Sequence, residues 1–262
     1  MNIPFTKAHG ARNDFLLTWR DQLPASFDAQ AASIAICDRH AGAGSDGWLI
    51  VSKVEGADGA IELWNSDGSR SEISGNGTRC AAAFLIDAGF AEKEVRILTG
   101  AGLKYLSLLA RDGRSYSFEM NMGAARVEHL HETILDQDAT ILNVGNPQCA
   151  VFVKDFSFDW RSIGAALERH PHFPNRTNVS FIQVLDDHTI DVRFWERGAG
   201  ETMSSGTGST GAAAASVSRG LVQSPVSVHT PAGPLELRWK GQDILLAGPA
   251  ELVASGEFYW NT

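Results

Sequence analysis

Cysteine is scarce in this sequence. Only three occur in 262 residues, Cys37, Cys80 and Cys149, far from one another. That spacing builds neither a disulfide framework nor a zinc ribbon, so a reduced, cytoplasmic protein with no bound metal is expected. Basic residues are few as well. Lys and Arg total 22 against 31 Asp and Glu, for a net charge of −9, and no basic block stands out. Nucleic acid needs a concentrated cationic face, so none is expected as a partner. No apolar run approaches the roughly eighteen residues of a membrane span. The opening MNIPFTKAHG lacks the charged head and apolar core of a secretory signal. A membrane partner is therefore not expected either. An acidic chain can still bind a small anion, provided its cations are local to a pocket.

The sequence does contain an internal repeat. Residues 63–85 read LWNSDGSRSEISGNGTRCAAAFL, and residues 194–216 read FWERGAGETMSSGTGSTGAAAAS. Trp64 matches Trp195, Asn65 matches Glu196, Ser74 matches Ser205 and Ala81 matches Ala212, each pair 131 residues apart, half the chain length. Asn13 in HGARND and Asn146 in VGNPQC fit the same offset to within a couple of residues. The pattern predicts two similar domains related by a pseudo-twofold, with the repeated loops facing one another.

Short strand-like runs recur at 47–54, 60–65, 95–100, 104–111, 149–155, 179–185, 189–196 and 235–240, punctuated by Gly, Asp and Asn. Helical periodicity is confined to 28–42, 159–171 and the two Ala-rich segments after the glycine loops. The predicted fold is α+β, each domain a mainly antiparallel sheet wrapped around a central helix. The domains are drawn at 1–115 and 116–249, where RDGRSYSF breaks the pattern, with a C-terminal strand at 250–262 returning to the first domain. No low-complexity linker intervenes.

The chemistry concentrates in the two loops Ser74-Gly75-Asn76-Gly77-Thr78 and Ser205-Gly206-Thr207-Gly208-Ser209. A glycine-rich turn that opens a helix leaves backbone N–H groups without an intrahelical partner at the positive end of the dipole. Such a turn binds phosphate or carboxylate. One loop alone reads equally well as Ser or Thr capping a helix. Two copies in a duplicated chain favour one shared anion site. Neither loop is followed by the acidic residue and βαβ context of a dinucleotide site, and neither carries a lysine for a Schiff base.

Six stretches then make the resemblance specific: AHGARNDF (8–15), RHAGAGSDGWLI (39–50), WNSDGSRSEISGNGTRC (64–80), VGNPQC (144–149), RTNVSFIQ (176–183) and ERGAGETMSSGTGS (196–209). In order and spacing they resemble the diaminopimelate epimerase family. The resemblance implies a cofactor-independent isomerase acting on an amino-acid substrate with a distal carboxylate, LL- to meso-diaminopimelate, for lysine and cell-wall synthesis. A homodimer is compatible with it. It also implies that two residues invert the α-carbon, one removing the proton and the other returning one from behind. By position these are Ser74 and Ser205. Gly75, Asn76, Gly206 and Thr207 would cradle the α-carboxylate. Asn13, Asn65, Asn146, Asn178, Glu196 and Arg197 would hold the rest, Glu196 accepting from an ammonium and Arg197 pairing with the distal carboxylate.

The chain departs from the family at the two reacting positions, which are thiols there and serines here. A thiol ionises near 8.5 and lower still at a helix N-terminus, whereas an aliphatic hydroxyl is far less acidic. Neither serine has a base within its local motif. Gln148 stands where the family carries histidine, and Cys80, six residues into the helix, reads as core packing. His170 and His172 read as loop residues. A binder of amino acids, or a lyase or isomerase on the same scaffold, remains open beside the epimerase.

Overall fold

Several strands bury every second residue, the mark of a sheet with one covered face. The pattern is plain in Glu94–Thr99 and Thr189–Glu196. The computed structural model describes residues 1–260. It contains two units, Met1–Met120 together with the chain from Gly248 onward, and Asn121–Ala247.

The first unit runs β1 (Asn2–Gly10), β2 (Asn13–Trp19), α1 (Ala29–Cys37), β3 (Gly47–Ser52), β4 (Gly59–Asn65), β5 (Arg70–Ser71), α2 (Gly75–Asp87), β6 (Glu94–Thr99), β7 (Gly102–Asp112) and β8 (Ser115–Ala124). The second runs β9 (Arg126–Ile134), β10 (Gln137–Asn143), β11 (Pro147–Phe152), α3 (Trp160–Glu168), β12 (Asn178–Val184), β13 (Thr189–Glu196), β14 (Gly200–Thr202), α4 (Gly206–Ser218), β15 (Val226–Thr230), β16 (Gly233–Lys240) and β17 (Asp243–Tyr259). The far part of β17 pairs antiparallel with β1, from Asn2 opposite Tyr259 to His9 opposite Glu251. Residues 261 and 262 of the strand expected at 250–262 lie outside the described residues.

The repeat extends to the hydrogen-bond pattern. In the first unit β2 pairs parallel with β3, β3 antiparallel with β4, and β4 parallel with β6. In the second unit β11, β12, β13 and β15 pair in the same senses. Even the register repeats, with Trp48 opposite Trp64 and Val179 opposite Trp195. Both units are thus mainly antiparallel sheets around a helix, as the sequence predicts.

The central helices explain their own composition. α2 touches β1, β2, β3, β4 and β6, and α4 touches strands from β9 to β16. A helix enclosed on all sides has no polar face to spare and must let strands approach closely. Hence Ala81–Ala83 and Ala212–Ala215 are buried, the latter against Phe194, Val226, Val228 and Leu237. Both helices stop the same way. Gly89 (φ +78) and Gly220 (φ +69) adopt the left-handed conformation, and their N–H groups return to Ile86 and Val217.

α1 and α3 cover the opposite sheet faces. β3 and β12 accordingly bury nearly every residue, since a helix lies against each side. The helix predicted at 28–42 ends at Cys37. Asp38 takes an extended ψ of 128°, and its carboxylate accepts the His40 and Ala41 N–H groups at 2.7 Å. That competing turn replaces further helical bonds. The helix predicted at 159–171 ends at Glu168. RDGRSYSF forms the β7–β8 hairpin, turning at Gly113 with φ +56.

Candidate active site

Ser74 and Ser205 are the N-caps of α2 and α4. Both have extended backbone, and their hydroxyls accept from Gly77 N at 3.1 Å and Gly208 N at 3.0 Å. The N–H groups of Gly75, Asn76, Gly206 and Thr207 precede the first possible intrahelical acceptor. Each loop therefore presents two free donors at the positive end of a buried helix. Each unit thus has the geometry that suits an anion.

In the first unit, Asn76 is 3% exposed, and its Nδ2 donates to Asn13 Oδ1 at 3.2 Å. Asn13 in turn donates to Asp46 Oδ2 at 2.8 Å. Asp46 is tied to Arg39, which also grips Asp14, while Lys7 contacts Asp14 at 3.1 Å. Burial pushes the Asp14 carboxyl up, but Arg39 and Lys7 outweigh it and hold it below the usual range. A charged network thus fixes Asn13 from behind. Asn65 stands apart from these bonds, donating to Ser69 Oγ at 2.9 Å.

In the second unit, the equivalent position to Asn65 is Glu196, and its environment is different. Ser205 Oγ donates to Glu196 Oε2 at 3.0 Å, and Thr202 Oγ1 donates to Oε1 at 2.7 Å. The base missing from the Ser205 loop motif is thus supplied from outside it. The partner lies nine residues away, across the turn at β14, so the loop motif alone does not contain it. Burial pushes the Glu196 carboxyl above its usual range, against the pull of the two hydroxyls. Ser74 has no carboxylate counterpart, because Asn65 occupies that place. The two serines are alike as helix caps and unlike in having a carboxylate acceptor.

The remaining predicted residues of the second unit form two further groups. Asn146 donates to Thr207 Oγ1 at 3.3 Å and accepts from Gln148 Nε2 at 2.6 Å. Gln148 is 1% exposed, and its Oε1 has no partner among the described residues. Asn178 donates to Pro147 O at 3.0 Å and accepts the Arg197 N–H at 3.0 Å. The Arg197 side chain is exposed and donates to Asn175 O at 3.2 Å. Its guanidinium has no carboxylate partner among the described residues, which leaves its fork open to an incoming anion.

A residue outside the sequence prediction holds this loop. Glu168, 2% exposed, accepts from Gly198 N at 3.1 Å and pairs with Arg176 and Arg169. Burial pushes its carboxyl up, but these donors outweigh it and keep it below the usual glutamate range. Glu168 thereby anchors the backbone on either side of Asn178 and Arg197. Its only sequence signal is a helix-terminal Glu-Arg pair, indistinguishable from a surface ion pair.

The three cysteines are buried and lie outside these constellations. Burial raises Cys37 to about 11 and Cys80 and Cys149 to about 12. A thiol reagent should find none reactive in the folded protein, and three after unfolding in guanidinium. A thiol that labels rapidly under native conditions would contradict this assignment.

The sequence matches the diaminopimelate epimerase family over residues 5–128 and 140–253. Diaminopimelate epimerase of Pelotomaculum thermopropionicum is 39% identical over 280 residues, covering 98% of this chain and 99% of that one. That of Moorella thermoacetica is 36% identical over 276 residues, with 97% and 98% coverage. Among solved structures, a hydroxyproline epimerase from Agrobacterium vitis with bound trans-4-hydroxy-L-proline superposes with a TM-score of 0.75. It is 16% identical and covers 98% of this chain and 92% of its own, a likeness of fold. Two glycine-opened helices 131 residues apart, each capped by serine, and a full-length match to one enzyme family give a single assignment: the chain belongs to the diaminopimelate epimerase family.

Proposed function

We propose that the protein interconverts the LL and meso isomers of diaminopimelate without a cofactor, with Ser74 and Ser205 as its proton-transfer groups. The carrying observation is the Ser205–Glu196 hydrogen bond at the N-terminus of α4. It gives one hydroxyl a carboxylate to receive its proton, beside donors suited to a carboxylate. Family membership supports the substrate class, and the Arg197 guanidinium, which has no carboxylate partner among the described residues, suits the distal carboxylate.

The chemistry balances with the chain's own groups and solvent water. Ser205 Oγ takes the α-proton while its own proton passes to Glu196 Oε2, and the carbon's electron pair spreads into the carboxylate. The N–H groups of Gly75, Asn76, Gly206 and Thr207 stabilise the growing negative charge. Ser74 then delivers its hydroxyl proton to the opposite face of the carbon; solvent water returns a proton to Ser74 and takes up the one held by Glu196, so the cycle closes with no net proton change. The reverse direction asks Ser74 to act as base, with no carboxylate behind it. Asn13, Asn65, Asn146 and Asn178 position the substrate. The reading places the enzyme in the cytoplasm, in the synthesis of lysine and cell wall. No described helix is long and apolar enough to cross a membrane.

The direct test is to incubate purified protein with LL-diaminopimelate and separate the stereoisomers chromatographically. Slow formation of the meso isomer without added cofactor is expected, and its loss in a Ser74→Ala/Ser205→Ala variant. No conversion by either the native protein or its double-cysteine counterpart would overturn the proposal.

A further inference from the structure

Arg79 is the most anomalous charge in the molecule. It sits in the second turn of α2, wholly inaccessible to solvent. Its Nε donates to Pro249 O at 3.1 Å and its Nη2 to Asn76 Oδ1, while Nη1 has no partner among the described residues. No ion pair among the described residues includes it.

Two general rules make this arrangement costly. A buried cation without a counter-charge carries an uncompensated desolvation penalty of several kcal/mol. A cation near a helix N-terminus also opposes the dipole, which favours anions there. Burial accordingly draws the Arg79 guanidinium down to about 10. The surroundings are nevertheless shaped to keep it. A Cβ on Gly248 would lie 2.8 Å from Arg79 Cζ, so only glycine leaves room for the guanidinium. The position equivalent to Arg79 in the repeat is Thr210, whose hydroxyl merely bonds Gly206 O at 2.8 Å. Only the first unit carries the charge.

We propose that Arg79 is a fixed counter-charge and positioning residue for the substrate carboxylate at the α2 cradle, completed electrostatically only when an anion binds. It works through Asn76, the second residue of the helix, whose side chain it orients towards Asn13. The inference rests on the epimerase reading for the identity of the anion but not for its existence. The two cradles are then unequal: α2 supplies net charge, and α4 supplies dipoles and the Glu196 relay.

Three substitutions separate the possibilities. Arg79→Lys keeps the charge, Arg79→Gln keeps a donor for Asn76 without charge, and Arg79→Met keeps neither. Binding of diaminopimelate by calorimetry should weaken at least tenfold in the Gln and Met variants and much less in the Lys variant. The ligand-free Tm of the Gln and Met variants should equal or exceed that of the native protein, because the penalty of an unpaired charge is gone. Inorganic phosphate should raise the native Tm and leave those two variants unmoved. This arm needs no assumption about the substrate, so failure of native protein to bind diaminopimelate would count against the function and not against the counter-charge. Unchanged phosphate protection in the Met variant overturns the proposal. So does equal binding in the Gln and Lys variants, which would reduce Arg79 to a hydrogen-bond donor. A folding defect in the Met variant leaves the Gln and Lys comparison to decide.

Discussion

Replacing Ser74 and Ser205 together by cysteine should raise the rate of diaminopimelate epimerisation by about three orders of magnitude or more. If an aliphatic hydroxyl lies about five pKa units above a thiol, ionising it costs about 7 kcal/mol more. The Glu196 relay and the helix dipoles recover part of that on the native protein, so the full difference is not expected as gain. The helix N-termini should favour a thiolate at both sites. Sulfur is a modest change in volume, but it is a poorer cap. Losing the Ser74–Gly77 and Ser205–Gly208 bonds should cost about 1 kcal/mol at each helix, read as a lower Tm alongside the higher rate. Single replacements should recover little, since inversion needs a competent acid and a competent base. A double variant that binds substrate and stays slow would shift attention to Gln148, whose amide cannot titrate.

Replacing Glu196 by glutamine should lower turnover about 10²- to 10⁴-fold, the usual contribution of a positioned base. Glutamine keeps the shape and can still accept from Thr202 or Ser205, so the fold should survive. Stability should move the other way. The Glu196 carboxyl is raised in the folded protein, so the native state holds its proton more tightly than the unfolded chain does. The stabilisation this gives is full below the ordinary glutamate value of 4.5 and is lost as pH rises through the raised folded value. At pH 7 the native protein therefore carries a buried carboxylate penalty that the glutamine variant lacks. Glu196→Gln should be as stable or more stable at pH 7, with the difference closing below pH 4.5. Lower stability at pH 7 together with unimpaired turnover would show that Glu196 only braces the loop. The equivalent replacement in the first unit, Asn65→Ala, should act on binding more than on turnover, because Asn65 has no bond to Ser74.

Much of the architecture is legible in the sequence because its signals are local. Serine before Gly-X-Gly marks a helix start, and Gly89 and Gly220 mark the ends. The 131-residue repeat then says that whatever one half folds into, the other repeats. β1, β2, β8, β9, β10 and β15 are less legible; β1 is held by the distant β17, with Asn2 opposite Tyr259. The helix end at Cys37 depends on one aspartate turning its carboxylate back onto two amides.

For the site, residue types show in the motifs and their electrical roles do not. Asn146 and Thr207, 61 residues apart, meet at 3.3 Å only through the fold. Arg79 reads in sequence as an ordinary helix arginine, and only complete burial without a carboxylate gives it meaning. The Ser205–Glu196 bond depends on the β13–β14 pairing that folds Glu196 back opposite Gly200. Composition holds no trace of that asymmetry.

In the proposed mechanism Ser205, with Glu196 behind it, exchanges the substrate α-proton more readily than Ser74 does. Incubation of LL- and of meso-diaminopimelate in deuterated water, followed at the α-carbon by NMR, tests it most directly. Deuterium should enter faster than configuration inverts when the α-proton faces Ser205, because the carbanion is returned to the same side before Ser74 acts. With the other isomer, exchange and inversion should keep pace, and Glu196→Gln should abolish the difference. Tight binding of either isomer with no α-proton exchange would contradict the account.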